Sequence, residues 1–190
     1  MKFCCNCGEA VIFRVPENDD RKRYVCDACD SIHYQNPKVV AGCLPVWQEQ
    51  VLLCRRAIEP RLNYWTLPAG FMELGETSTE AAIRETIEEA NARIDIHNLY
   101  VLLNLPHVNQ VYMMFRSSML DLDFGPSPES TEVKLFSENE IPWNEIAFTT
   151  ISYTLKFYFE DRKRGEYPLH FGDIIKNGSN FTYRSGPLAE

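Results

Sequence analysis

Between residues 38 and 120 the apolar positions fall into runs, and the runs predict strands. Residues 38–46 are almost unbroken apolar sequence and 50–54 form a second run, with Trp47-Gln48-Glu49-Gln50 as the turn between them. Residues 93–95, 99–105 and 110–120 read as further strands, and Pro106-His107-Val108-Asn109 as a loop. In the middle of this series the period changes. Thr77 is a fitting N-cap with Glu80 three positions on, the spacing of a capping box, and a helix runs from there to a stop near Asn91. At roughly 100° per residue, Ile83, Ile87 and Ala90 share one face, which predicts an apolar stripe packed on the body of the protein. Glu85, Glu88 and Glu89 then fall on the opposite side. Residues 133–136 read as a strand, 141–148 as a short helical region, and 150–164 as a helix with Ile151, Leu155, Tyr158 and Phe159 inward. Residues 124–132 are rich in Pro and Ser and predict a surface loop, and from Gly165 onward little periodicity remains.

Ahead of Asn36-Pro37 the chemistry is different. Cys4 and Cys7 form one C-x₂-C pair and Cys26 and Cys29 another, with eighteen residues between them, the spacing of a structural zinc site with four sulfur ligands. A segment this short buries too little surface to fold alone, so Zn²⁺ would supply its folding energy. Residues 11–15 and 23–25 predict short strands, and Cys5 is left as a non-ligand. The divisions expected are a zinc ribbon over 1–36, a main domain over 37–165 and a C-terminal tail over 166–190 that wraps the surface or a partner subunit.

Composition narrows the options. A net charge of −8 argues against general nucleic-acid or anionic-membrane binding, and the ribbon segment shows no basic stripe. No apolar run has membrane-spanning length, and the cysteines have metal spacing, so a soluble, cytoplasmic protein with reduced thiols is expected.

The acidic cluster on the helix needs its own explanation. Like charges at i,i+3 and i,i+4 each cost roughly 0.2–0.5 kcal/mol, and propensity does not account for them. A solvated acidic face is one reading; a site for a hard divalent cation such as Mg²⁺ or Mn²⁺, which takes carboxylate ligands, is the other. The longer spacing favours the second. Gly70, five residues, Glu76, seven residues, then Arg84-Glu85-Thr86-Ile87-Glu88-Glu89 resembles the Nudix box, with Thr86 where an aliphatic residue is usual and Asn91 in place of the last glycine.

The resemblance implies an α/β/α sandwich with a mixed sheet over residues 37–165, and hydrolysis of a nucleoside diphosphate linked to another group. Carried over by position, Glu85 and Glu89 are the primary Mg²⁺ ligands, Glu88 a further ligand within the catalytic set, and the Ala69 carbonyl a possible one. Gly70 lets backbone approach the metal, and Glu76 and Arg84 form an ion pair that positions the loop. Glu129 and Glu132 are both candidates for a general base from a distant loop, and Arg55, Arg56 and Phe71 for substrate contacts. With Gln35-Asn36-Pro37-Lys38, residues 64–71 and Gly125-Pro126-Ser127-Pro128-Glu129-Ser130, the chain is similar to zinc-ribbon Nudix hydrolases and plant FAD/ADP-ribose pyrophosphatases. That likeness implies a small dinucleotide substrate, ADP-ribose or FAD, and a homodimer. NADH is the alternative substrate, though the Ser-Gln-Pro-Trp-Pro-Phe-Pro run of NADH pyrophosphatases is replaced here by Leu103-Asn104-Leu105-Pro106-His107. A nucleotide-sensing regulator that does not cut, and a nucleic-acid-binding ribbon, are the rival classes.

Overall fold

A computed structural model describes residues 1–178 and 180–186. The chain divides into two compact units, Met1–Pro37 and Lys38–Glu190. In the first, β1 (Ile12–Arg14), β2 (Arg23–Val25) and β3 (Ile32–His33) form a small antiparallel sheet in that order.

The second unit contains β4 (Lys38–Trp47), β5 (Gln50–Arg56), β6 (Trp65–Thr66), β7 (Ala69–Phe71), α1 (Ser78–Ala90), β8 (Ile94–Leu105), β9 (Gln110–Met119), β10 (Ser130–Phe136), α2 (Thr149–Arg164), β11 (His170–Asn177) and β12 (Asn180–Ser185). Among the described residues its sheet runs β10-β5-β4-β9-β8-β11-β12, with β6 on β5 and β7 on β4. The β4–β9 and β8–β11 pairs are parallel and the others antiparallel, so the sheet is mixed.

Alternation along the strands assigns the faces. Leu44, Val51 and Leu53 pack with Ile151, Leu155, Tyr158 and Phe159 of α2. Their sequence neighbours Cys43, Leu52 and Cys54 pack with Ala81, Ala82 and Ala90 of α1. The helices therefore cover opposite faces of one mixed sheet, the α/β/α arrangement expected from the sequence.

α1 keeps Ala90 of the expected stripe inward but turns Ile83 and Ile87 out. Ile83 and Ile87 are 36% and 48% exposed, while Ala81, Ala82, Glu85, Thr86, Glu89 and Ala90 are buried. The rows 81-85-89 and 82-86-90 are each spaced i,i+4 and lie side by side, and their small residues let the helix sit close on Ala41 and Cys43. Close seating carries the two intervening carboxylates inward. Thr86 is fully buried and satisfies its hydroxyl by donating to the Ala82 carbonyl at 2.8 Å. Ile87→Gln is accordingly expected to shift the melting temperature by less than about 2 °C in a thermal denaturation scan, the size of an ordinary surface change.

Three other readings are corrected. Residues 94–105 form one strand, because two irregularities in its pairing with β9 absorb the polar positions around Asn98 without ending the ladder. Glu132 lies within β10, not in a loop. The C-terminal segment carries a hairpin, β11–β12, that continues the sheet by parallel pairing of β11 with β8. Asp161 fastens it. This buried carboxylate accepts from the Tyr100 hydroxyl at 2.7 Å, lies 2.6 Å from His170 Nε2, and pairs with Arg164. Burial pushes its pKa up, but the bonds from His170, Tyr100 and Arg164 outweigh burial and hold it below the usual carboxylate range.

Candidate functional site

The acidic site is assembled at the junction of a loop and a helix. Thr77 caps α1: its hydroxyl oxygen accepts from the Glu80 amide at 3.2 Å, and the Glu80 carboxylate accepts from the Thr77 amide at 2.7 Å. Arg84 gathers the loop onto this helix. Its Nε and Nη2 donate to the two Glu76 oxygens at 3.0 and 2.8 Å, and Nη2 also donates to the Phe71 carbonyl at 3.2 Å. Its Nη1 reaches Glu85 at 2.7 Å and Glu88 at 3.0 Å. The guanidinium thus ties the Glu76 loop to two carboxylates of the helix.

Gly70 and Gly42 make the close approach possible. A Cβ at Gly70 would overlap the Glu85 carboxylate, and one at Gly42 would overlap Ala69. Glu89 accepts from the Ala69 amide at 3.2 Å. Glu85 and Glu89 are only 8% and 5% exposed. Burial raises the Glu85 pKa against the pull of Arg84, and pushes Glu89 up to about 8 against the Ala69 amide, with the charge of Glu85 adding to the rise. Two adjacent carboxylates removed from water fit a hard cation by donor chemistry. Arg84 spans Glu85 and Glu88 in this arrangement.

The loop after β9 brings a fourth carboxylate. The Gly125 amide donates to the Ala90 carbonyl at 2.9 Å, and Ser127 Oγ to the Glu89 carbonyl at 3.3 Å. Asn91, at φ 51° as the helix C-cap, donates from its side-chain Nδ2 to the Pro126 carbonyl at 2.7 Å. Glu129 is carried by this tethered loop, and its charge raises the pKa of both Glu85 and Glu89. Glu132 is placed elsewhere, 3.6 Å from Arg55. Sequence reasoning missed Ser127 and the tethering role of Asn91; the asparagine where a glycine was expected was the available signal.

The two arginines ending β5 differ. Arg55 donates to the Asn63 carbonyl at 3.1 Å and faces Glu132. Arg56 is buried, donates from Nε to the Pro60 carbonyl at 2.8 Å, lies 5.2 Å from the Phe148 ring centre, and its charge acts on Glu89. Among the described residues its terminal N–H groups have no acceptor. The Phe71 ring is half exposed under Lys38 Nζ at 4.6 Å, while its carbonyl serves Arg84.

In the first unit Cys4, Cys7, Cys26 and Cys29 bring their sulfurs within 4.8 Å of one another. The Cys4–Cys29 and Cys7–Cys26 separations are 3.7 and 3.5 Å. A tetrahedral zinc with sulfur ligands at ~2.3 Å spaces them roughly 3.8 Å apart. Hydrogen bonds from Ser31 bring the Cys29 thiol down to about 6. The set fits a thiophilic ion, and among the described residues it alone gathers three or more metal-binding atoms so tightly.

Comparison with known proteins agrees with this geometry. The NUDIX domain family matches residues 36–156, and the family described as Nudix N-terminal, a zinc ribbon, matches residues 2–35. The crystal structure of a NUDIX hydrolase from Nitrosomonas europaea is 57% identical, with TM-score 0.90, covering 93% of this chain and all of that one. The NAD-capped RNA hydrolase NudC of Vibrio vulnificus is 26% identical over 150 residues, 75% of this chain and 53% of its own length. The ADP-ribose pyrophosphatase of Methanocaldococcus jannaschii is 26% identical over 121 residues, 60% of this chain and 69% of its own length. The chain spans about half the length, or less, of the NudC relatives it matches. With a carboxylate-bearing helix on one face of a mixed sheet and both family matches in sequence, the chain belongs to the Nudix hydrolase family.

Proposed function

We propose that this chain is a divalent-cation-dependent pyrophosphatase that hydrolyses the P–O–P bridge of a dinucleotide or nucleotide sugar, with ADP-ribose and FAD as the favoured substrates. The products are AMP with ribose 5-phosphate or FMN. The observation that carries this reading is the burial of Glu85 and Glu89 together, on a helix that leaves its isoleucines in water.

In this reading Glu85 and Glu89 are the principal ligands of Mg²⁺ or Mn²⁺, with Glu88 and the Ala69 carbonyl available to complete the set. The bound cation neutralises phosphate oxygens and lowers the pKa of a water. The chain's own residues do the positioning. Arg84 and Glu76 clamp the loop so that Gly70 backs the Glu85 carboxylate. Arg56, fixed by Pro60 and Phe148, presents its terminal N–H groups to a phosphate, whereas Arg55 is committed to Asn63 and Glu132. Glu129 is the general base, because its loop is tethered to the helix at Glu89 and Ala90, whereas Glu132 is paired with Arg55. Zinc in the cysteine cluster holds the ribbon's fold.

Steady-state assays of AMP release with Mg²⁺ test the assignment. Glu129→Gln is expected to lower kcat about 10²–10⁴-fold with KM little changed, the usual contribution of a general base, while Glu132→Gln stays within a few-fold of wild type. Equal effects of the two would remove Glu129 from the role. The likeness to NudC favours a second reading, an NAD(H)-type substrate, and the same assay on NADH separates the two by kcat/KM.

A further inference from the structure

The ribbon holds a histidine that its four-cysteine cluster does not explain. His33, on β3, is buried at 9% exposure. Its Nε2 lies 3.2 Å from Cys4 Sγ, and its Nδ1 lies 3.5 Å from the sulfur of Cys5, the cysteine outside the two pairs. Pairing of β3 with β2, Tyr24 with His33 and Val25 with Ile32, turns the imidazole inward and leaves Ile32 at the surface.

We propose that His33 is the positioning residue of the ribbon's metal centre, with its Nε2–H donating to the Cys4 thiolate and Cys5 fixing that tautomer from the other side. The inference rests on the zinc assignment above. A neutral imidazole has one donor and one acceptor nitrogen. A metal-bound Cys4 thiolate accepts only, so the proton sits on Nε2. Nδ1 is then the acceptor, and the Cys5 thiol, 3.5 Å from it and 3.6 Å from Asn6 Oδ1, is the donor within reach. Four thiolates around one dication carry a net double negative charge, and Cys4 is the most deeply set of them apart from Cys26. Donors to its sulfur disperse that charge: His33 Nε2–H is one, and the Asn6 amide at 3.4 Å is a second. Cys5 is thereby a partner of the histidine and not a ligand.

The test uses the full chain. Loaded with ¹¹³Cd²⁺, the wild type is expected to show scalar coupling between cadmium and the Hε2 proton of His33, transmitted through the Cys4 sulfur; no such coupling overturns the proposal. Competition with a chromophoric chelator then measures zinc affinity. His33→Phe, which keeps the ring but has no donor, is expected to lower it about 10–100-fold. His33→Gln, which restores an N–H, recovers most of the loss, and Cys5→Ser stays near wild type. The cobalt-loaded proteins keep a four-thiolate charge-transfer spectrum throughout. Unchanged affinity in His33→Phe overturns the role of His33 alone, and a cobalt spectrum that loses sulfur ligation in Cys5→Ser makes Cys5 a ligand instead. A wild-type chain that binds no zinc overturns both this proposal and the zinc assignment, while leaving the hydrolase reading to its own assay.

Discussion

Replacing Glu85 and Glu89 together by glutamine is expected to lower kcat on ADP-ribose or FAD by about 10³-fold or more, and to make the metal-free protein more stable at neutral pH. The first effect follows from loss of charge donors to a cation: transition-state stabilisation of roughly 4 kcal/mol corresponds to that factor. The second follows from where the carboxylates lie. Burial pushes Glu89 up to about 8, and its unfolded value is ~4.3. A carboxyl raised by folding contributes stability that is fully present below the unfolded value and is lost as pH rises through the folded one. Metal-free wild type should therefore melt at a lower temperature as pH rises from about 5 to about 8, and the double variant should lose most of that slope. Added Mg²⁺ should restore the wild type at high pH and leave the variant unmoved, because the ion binds the ionised carboxylates that glutamine lacks. Calorimetric scans with and without the ion check all three statements.

The most damaging substitution away from the carboxylate site is expected to be Asp161→Ala. It removes a buried acceptor from Tyr100, His170 and Arg164 at once and frees the hairpin that closes one end of the sheet. Removing one partner of a buried charged network costs about 3–5 kcal/mol, which in a chain of this size lowers the melting temperature by roughly 10 °C. The pH sign is opposite to that of Glu89. Its folded pKa is depressed, so its contribution is present above the unfolded value of ~3.9 and is lost as pH falls from there through the folded value. Circular dichroism melts taken at about pH 7 and then at successively lower pH below the unfolded value should show a deficit for the variant that is largest at the first and shrinks as the acid is titrated.

The fold class and the Nudix family were legible because a loop glycine, a Glu–Arg pair and three helical glutamates stand at the spacing that resembles the Nudix box. The strands were legible as apolar runs, since a sheet covered on both faces leaves no polar alternation. The orientation of α1 was not. Ranking positions by hydrophobicity turned Ile83 and Ile87 inward, whereas the packed face is chosen by the small side chains that let a helix approach a sheet. The C-terminal hairpin was hidden because Gly172 and Asp173 interrupt the period of β11, whose pairing depends on β8, some seventy residues earlier. His33 gave no signal, since only the register of a two-residue strand brings it to Cys4.

In the reaction proposed, water cuts a diphosphate at this carboxylate site. The most direct measurement is turnover of ADP-ribose, FAD and NADH by the full chain with Mg²⁺ or Mn²⁺ in ¹⁸O-labelled water, with the products weighed by mass spectrometry. AMP is expected from at least one of them, with a single ¹⁸O in one of the two product phosphates and no release once the cation is chelated. Unbroken substrate with every cation, or cleavage that continues after chelation, would contradict it.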